Sequence, residues 1–194
     1  MKKNNRLLFV LFLAMTTLSC SIFAVKSTQE PATTVIDQSS ISENDLAAYV
    51  NECCKFVAQT FTAGITGTLA GVTIDVKAIP YSPFHLHAAI RTVTTNGVPS
   101  PTILGEITLK SGSAPISQFI SFPQTIHIIA GDQYAIVVNY EGAPTAGKGQ
   151  GQGIWLGATD DTYSGGDGYT SISDGISWVQ MEGEDLHFQT YVNL

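Results

Sequence analysis

Val72, Ile74, Val76 and Ala78 alternate with Thr73, Asp75 and Lys77, and this two-residue apolar period is the feature that most constrains the fold. Successive side chains of a pleated strand point to opposite faces, so the pattern describes a strand with one buried and one wet side. It returns in Leu86, Ala88 and Ile90, which interleave with His87 and are flanked by His85 and Arg91. Further runs of strand character are Phe56–Phe61, Ile103–Lys110, Ile116–Phe122, Ile126–Ile129, Tyr134–Tyr140, Ile154–Gly157, Ile176–Val179 and Leu186–Val192. Turn formers separate them: Asn96-Gly97, Gly112, Gly131-Asp132, Gly142–Gly153, Gly165-Gly166 and Asp174-Gly175. Nine or ten short strands with no long helical pattern predict an all-β chain, an antiparallel jelly-roll β-sandwich. The one helical signal is Ser42-Glu43-Asn44-Asp45 ahead of Leu46–Val50, which reads as a short capped N-terminal helix.

The 194 residues leave room for a leader and one domain of ordinary size. Lys2, Lys3 and Arg6 precede the apolar run Leu7–Ala14, and small residues follow through Ala24. Residues 1–24 therefore read as a secretory signal peptide, residues 25–54 as a polar linker or N-terminal arm, and residues 55–194 as the β-sandwich domain. The apolar run is too short for a confident membrane span, and no later stretch approaches one. Secretion is the expected fate. The alternative is a lipoprotein anchored through Cys20, although Thr17 stands where the bacterial lipid-attachment motif usually has Leu. Beyond the leader the only cysteines are the adjacent Cys53 and Cys54, open to a vicinal disulfide, an interchain bond or two thiols, so the core must hold the fold.

Hydrophobic residues at 44% against 13% charged exclude a disordered chain. Three of the nine basic residues lie in the leader while all sixteen acids lie beyond it. Such a surface repels polyphosphate and anionic lipid, which argues against nucleic-acid binding. The glycine-rich Glu141–Gly153 stretch has no following helix and no Gly-Lys-Ser/Thr, so it is no phosphate loop.

Several phrases combine into a family likeness. They are Val57-Ala58-Gln59-Thr60-Phe61-Thr62, Asn96-Gly97-Val98-Pro99 before Ile103-Leu104-Gly105, and Ile129-Ala130-Gly131-Asp132-Gln133-Tyr134 running into Val138. Tyr163-Ser164-Gly165-Gly166, Tyr169, Ser173-Asp174-Gly175, Trp178 and Leu186–Val192 close the series. Over residues 55–194 this series resembles the choice-of-anchor type of extracellular bacterial domain. The resemblance implies a jelly-roll sandwich like those of carbohydrate-binding modules, with an accessory or adhesive role and no catalytic residues. At Asp174-Gly175-Ile176 the chain departs from the pattern, which often has a second glycine there.

The expected ligand is a glycan, because exposed aromatic faces stack on the C–H face of a pyranose while nearby polar groups bond its hydroxyls. The candidate residues are Trp155, Asp160, Asp161, Tyr163, Asp167 and Tyr169, with Gln180 beside them; Trp178 reads as a core residue of the last hairpin. Asp160, Asp161 and Asp167 also offer oxygens for a structural calcium ion, although turn aspartates commonly bond their own backbone instead. His85 and His87 share one strand face and with His127 or His187 could ligate zinc or iron, but the carboxylate of a cupin-like site is missing. Glu182, Glu184 and Asp185 read as a solvated acidic rim. No Gly-x-Ser-x-Gly, no His-Glu-x-x-His and no protease-like Cys/His spacing occurs. The leading expectation is a secreted, non-catalytic, glycan-binding module. The alternatives are an adhesin that meets a host or cell-surface protein, and a small glycan-active or metal-dependent jelly-roll enzyme.

Overall fold

The computed structural model describes residues 32–42, 46–50, 56–78, 85–110, 117–141, 153–173 and 175–194. Every element among them is a strand: β1 (Thr34–Ser40), β2 (Leu46–Val50), β3 (Phe56–Thr62), β4 (Gly67–Ala78), β5 (His85–Val93), β6 (Pro99–Lys110) and β7 (Ser117–Ile120). They continue with β8 (His127–Ile128), β9 (Gln133–Glu141), β10 (Gly153–Ala158), β11 (Gly168–Ser171), β12 (Val179–Met181), β13 (Asp185–Leu186) and β14 (Phe188–Asn193). They form two sheets, paired antiparallel throughout, so the all-β two-sheet class expected from the alternation is what the chain adopts. The leader, Cys20, Cys53, Cys54 and most of the Glu141–Gly153 loop lie outside the described residues. Among the described residues no helix is long and apolar enough to cross a membrane.

The six-stranded sheet has the order β12-β11-β3-β9-β5-β6. In the eight-stranded sheet the long strand β4 is the hub. It pairs with β14 along Thr68–Ile74, with β7 along Val72–Asp75, with β8 at Gly67–Thr68 and with β10 along Val76–Ala78. β1 then lies outside β14, and β2 outside β10.

Two sequence expectations fail at the N-terminal side. Leu46–Val50 is not a helix: it pairs residue by residue with β10, from Leu46 opposite Gly157 to Val50 opposite Gly153. The residues of the expected linker contribute both β1 and β2, and the compact unit begins at Ala32. In both cases local polarity and capping chemistry yield to tertiary pairing, since helix propensity is a weak prior that sheet neighbours override.

The inward positions of β4 and β14 (Val72, Ile74, Val76, Phe188, Val192) meet those of β3, β5 and β9 (Val57, Phe61, Leu86, Ala88, Ile90, Ile136, Val138) in one continuous core. Each such side chain contributes about 1.5–3 kcal/mol on burial. Phe188 links the layers by ring contacts to Phe61 at 6.0 Å and to Tyr163 at 5.0 Å.

Polar side chains join the sheets where the core closes. Gln59 on β3 is fully buried; its amide donates to Asp185 Oδ1 at 3.0 Å, and its Oε1 accepts the Leu186 N–H at 2.7 Å. Asp185 Oδ2 accepts the Tyr163 N–H at 2.7 Å, which fastens the 159–168 loop to β13. Asp185 is thus buried rather than part of an acidic rim, while its neighbour Glu182 is exposed as expected. Desolvation holds the Asp185 carboxyl above the usual carboxylate range, against the lowering effect of these hydrogen bonds.

Candidate functional site

The aromatic residues expected to stack on sugar are instead part of the packing. Trp155 is completely buried in the main core, and its indole N–H donates to the His187 carbonyl at 2.8 Å. β10 lies between β2 and β4 at this position, with Trp155 opposite Ala48 and Val76, so an indole on the inward side has nowhere to go but the core. Tyr163 is buried edge-on against Phe188; its hydroxyl donates to Gln38 Oε1 at 2.9 Å, and desolvation pushes its pKa up to about 12. Tyr169 is buried on the far side of the six-stranded sheet with Ala58, Ala135 and Val137. Trp178 joins that same cluster, in an edge contact with Phe56 at 6.4 Å, and does not enter the core between the sheets.

The aspartates do not gather either. Asp160 and Asp161 are exposed, and Asp161 takes a left-handed turn (φ 44°) with its N–H on the Gly183 carbonyl. Asp167 is partly buried; its carboxylate accepts from Gln180 Nε2 at 2.9 Å and its N–H is capped by Thr60 Oγ1. Among the described residues no three His, Cys, Asp or Glu side chains converge to hold a metal ion. The structure therefore gives the calcium expectation for Asp160, Asp161 and Asp167 no ligand set. Of the three, only Asp167 has a side-chain hydrogen bond described, to Gln180. His87 is likewise held within its own sheet, with Nδ1 2.9 Å from Asn139 Oδ1 and Nε2 3.1 Å from Glu106 Oε2, and His127 lies on the other sheet beside Thr68.

An organised surface exists elsewhere, on the outward side of the eight-stranded sheet. The strand registers place its residues in rows that cross the strands. Thr34, Asn193, Thr68 and His127 form one row. Ile36, Tyr191 and Gly71 form the next; Ser39, Gln189, Thr73 and Phe119 the third; Asp75 and Ser117 the last. The outer rows are polar; between them Ile36, Tyr191 and Phe119 supply apolar surface beside the polar Ser39, Gln189 and Thr73. Phe119 is 54% exposed, and its ring meets the edge of Tyr191 at 5.4 Å and 73°. The ring reclines over Gly71, where any side chain would collide with it and with the Ile120 carbonyl. A residue with a Cβ at Gly71 would lift the aromatic face off the sheet.

Polar groups line this apolar strip in a continuous relay. Thr73 Oγ1 donates to the Tyr191 hydroxyl at 3.3 Å, which donates to Gln189 Oε1 at 3.0 Å, and Gln189 Nε2 donates to Ser39 Oγ at 3.4 Å. On the other flank Thr34 Oγ1 donates to Asn193 Oδ1 at 2.6 Å. Hydroxyls and amides ordered in this way retain free donor and acceptor positions toward solvent. From β1 across β14 and β4 to β7 the strip spans three strand spacings, about 14 Å.

At the end beside Asp75 stands His187, the single residue between β13 and β14. Its Nδ1 lies 3.4 Å from Asp75 Oδ2 and its Nε2 3.2 Å from Ser42 Oγ, and the ring is almost wholly buried. The sequence candidates lie in the 155–180 region, and this face is not among them. A signal was present, since Gln189 and Tyr191 occupy the outward positions of the Leu186–Val192 strand. That Phe119 lies on the same surface depends on β4 separating β14 from β7, which no local pattern encodes.

No protein-family model matches the sequence, and no curated protein matches it. Among solved structures the chain is similar to one described as the cysteine protease and lectin-like domains of Cwp84, a surface layer associated protein of Clostridium difficile. The identity is 13% and the TM-score 0.43 over 71% of this chain, which spans 32% of that one.

Proposed function

We propose that the domain is an exported, glycan-binding module of the choice-of-anchor kind, and that it holds sugar on the outward face of the eight-stranded sheet. The observation that carries this reading is the half-exposed Phe119 ring, seated over Gly71 against Tyr191, in one row with the hydroxyl and amide groups of Ser39, Gln189 and Thr73. That pairing of an apolar surface with hydrogen-bonding flanks matches the two sides of a pyranose, its C–H face and its equatorial hydroxyls. The strip itself carries no charged side chain, which favours a neutral sugar, and its length favours a chain over a single ring. Export rests on Lys2, Lys3 and Arg6 ahead of Leu7–Ala14. An open face with one aromatic stack and a few hydrogen bonds gives Kd values of about 0.1–1 mM per site.

The test is a glycan array followed by titration of the retained sugar with the wild type, Phe119→Ala and Tyr191→Ala. Retention of a neutral glycan that is lost in both variants, with unchanged circular dichroism, is the expected result; equal retention by Phe119→Ala sinks the reading. A second reading, a protein-binding adhesin, draws on the exposed Ile172, Ile176 and Val179 beside β12. It predicts a blank array and a protein partner that Phe119→Ala does not disturb.

A further inference from the structure

Ser42, His187 and Asp75 come from three separate parts of the chain and meet at one end of this face. The Ser42 N–H can only donate, and it points at His187 Nε2 from 3.3 Å, so that nitrogen carries the lone pair. The ring proton then sits on Nδ1, which faces the Asp75 carboxylate at 3.4 Å without a hydrogen bond between them. The Ser42 hydroxyl lies 3.2 Å from the same Nε2. Nucleophile, base and acid thus stand in the order and the tautomer that acyl transfer uses, with the Ser42 N–H and hydroxyl sharing the one Nε2 lone pair and the Nδ1–Asp75 hydrogen bond not closed; such a set is recognised by geometry rather than by sequence spacing. The distances are longer than in an engaged site, as is common before substrate binds.

Burial grades in the useful direction. His187 is enclosed, which keeps water from competing for Nε2, while Ser42 is only partly buried and Asp75 keeps 19% of its side chain exposed. Trp155 fixes the backbone from beneath by its hydrogen bond to the His187 carbonyl, and Leu156 O accepts the His187 N–H at 2.9 Å. These bonds fix the His187 backbone, and burial confines its ring.

We propose that Ser42, His187 and Asp75 form an acyl-transfer centre that takes carboxylic esters, with acyl groups borne on a glycan as the natural class. The glycan half of this statement rests on the platform reading; the ester chemistry does not. Ser42 Oγ attacks the ester carbonyl carbon while its proton passes to His187 Nε2. The tetrahedral adduct collapses, the C–O bond to the alcohol breaks, and the departing oxygen takes the proton from Nε2. Water then attacks the acyl-Ser42 ester, gives a proton to Nε2, and releases the carboxylic acid as the proton returns to Ser42 Oγ. Asp75 stays ionised and is a positioning residue.

The experiment needs no sugar. The protein is incubated with a fluorophosphonate probe and, separately, with p-nitrophenyl acetate, and the labelled peptide is identified by mass spectrometry. The expected result is one adduct, on Ser42, and ester turnover; both vanish in Ser42→Ala, whose folding is checked by circular dichroism. In Asp75→Asn the rate falls by about 100-fold or more, and its rise with pH, which reports a neutral imidazole acting as base, is lost at unchanged fold. An unlabelled, folded wild type, or equal labelling of Ser42→Ala, overturns the centre. Labelling at Ser42 with a blank glycan array keeps the centre and removes the glycan platform, so the two readings fail separately.

Discussion

On the six-stranded sheet the outward positions of β3, β9 and β11 are Ala58, Ala135, Val137 and Tyr169, and Phe56, Val98 and Trp178 pack over them. Arg91 lies in the same layer with its guanidinium 5.8 Å above Phe56, and the turn at Gly175 closes against both. On the eight-stranded sheet the outward positions are Thr34, Asn193, Ile36, Tyr191, Ser39, Gln189, Thr73 and Asp75, and Phe119 rests on them still half exposed. One face is apolar because a segment of the chain covers it. The other keeps a narrow apolar strip between polar rows with no such cover among the described residues. Aromatic content alone therefore does not tell the covered face of this sandwich from the bare one. The three aromatics chosen from sequence, Trp155, Tyr163 and Tyr169, are buried, and the exposed Phe119 lies where a glycine makes room for it.

The largest effect that separates packing from recognition belongs to Trp155. If it is a core residue, Trp155→Ala removes a fully buried ring and costs about 3–5 kcal/mol in urea unfolding. A loss below about 1 kcal/mol with sugar binding abolished would return Trp155 to the ligand site. On the covered face Tyr169→Ala is the matching change, expected to cost about 2–4 kcal/mol with binding of a retained glycan intact. The same calorimetric titration and denaturation curves decide both.

How much of this was legible beforehand differs between strand and surface. Val72–Ala78 and Leu86–Ile90 announce their inward and outward sides, because a period of two is a local property. The strand at Leu46–Val50 was hidden, since Ser42–Asp45 is good capping chemistry and only the ladder with β10 reveals the pairing. Trp155, between glycines and beside a loose-looking loop, gave no local sign that β2 and β4 would enclose it. Asp185 sat in an acidic cluster, and its burial depends on Gln59, 126 residues earlier, arriving to hydrogen-bond it. Ser42, Asp75 and His187 share no spacing that a motif search tests. Partnerships across sheets and between distant strands are what the local pattern leaves open.

The buried polar junction between the sheets supplies a smaller, pH-dependent test. Desolvation raises the folded-state pKa of Asp185 above its unfolded value, so the protonated form is favoured by folding. The resulting stability is fully present below the unfolded pKa, about 4, and is lost as pH rises through the folded value. Asp185→Asn cannot titrate. The stability of the wild type relative to this variant is therefore expected to fall as pH rises above about 4, as read from urea midpoints. A difference that stays constant over that range contradicts the raised carboxyl.

The smallest expected stability change is also the one that most sharpens the contrast between the faces. Phe119 makes an edge contact with Tyr191 and leans on Gly71, but its outward side is solvated. Truncation to alanine forfeits little buried area, and Phe119→Ala should shift unfolding by no more than about 0.5–1 kcal/mol. For comparison, Tyr169→Ala on the opposite face removes an aromatic ring of similar size and is expected to cost several times as much. A small loss would fit the proposed reading, in which the ring over Gly71 serves recognition and not folding. If Phe119→Ala proves as costly as Tyr169→Ala, the strip is packing after all, and the distinction between a covered and a bare face disappears.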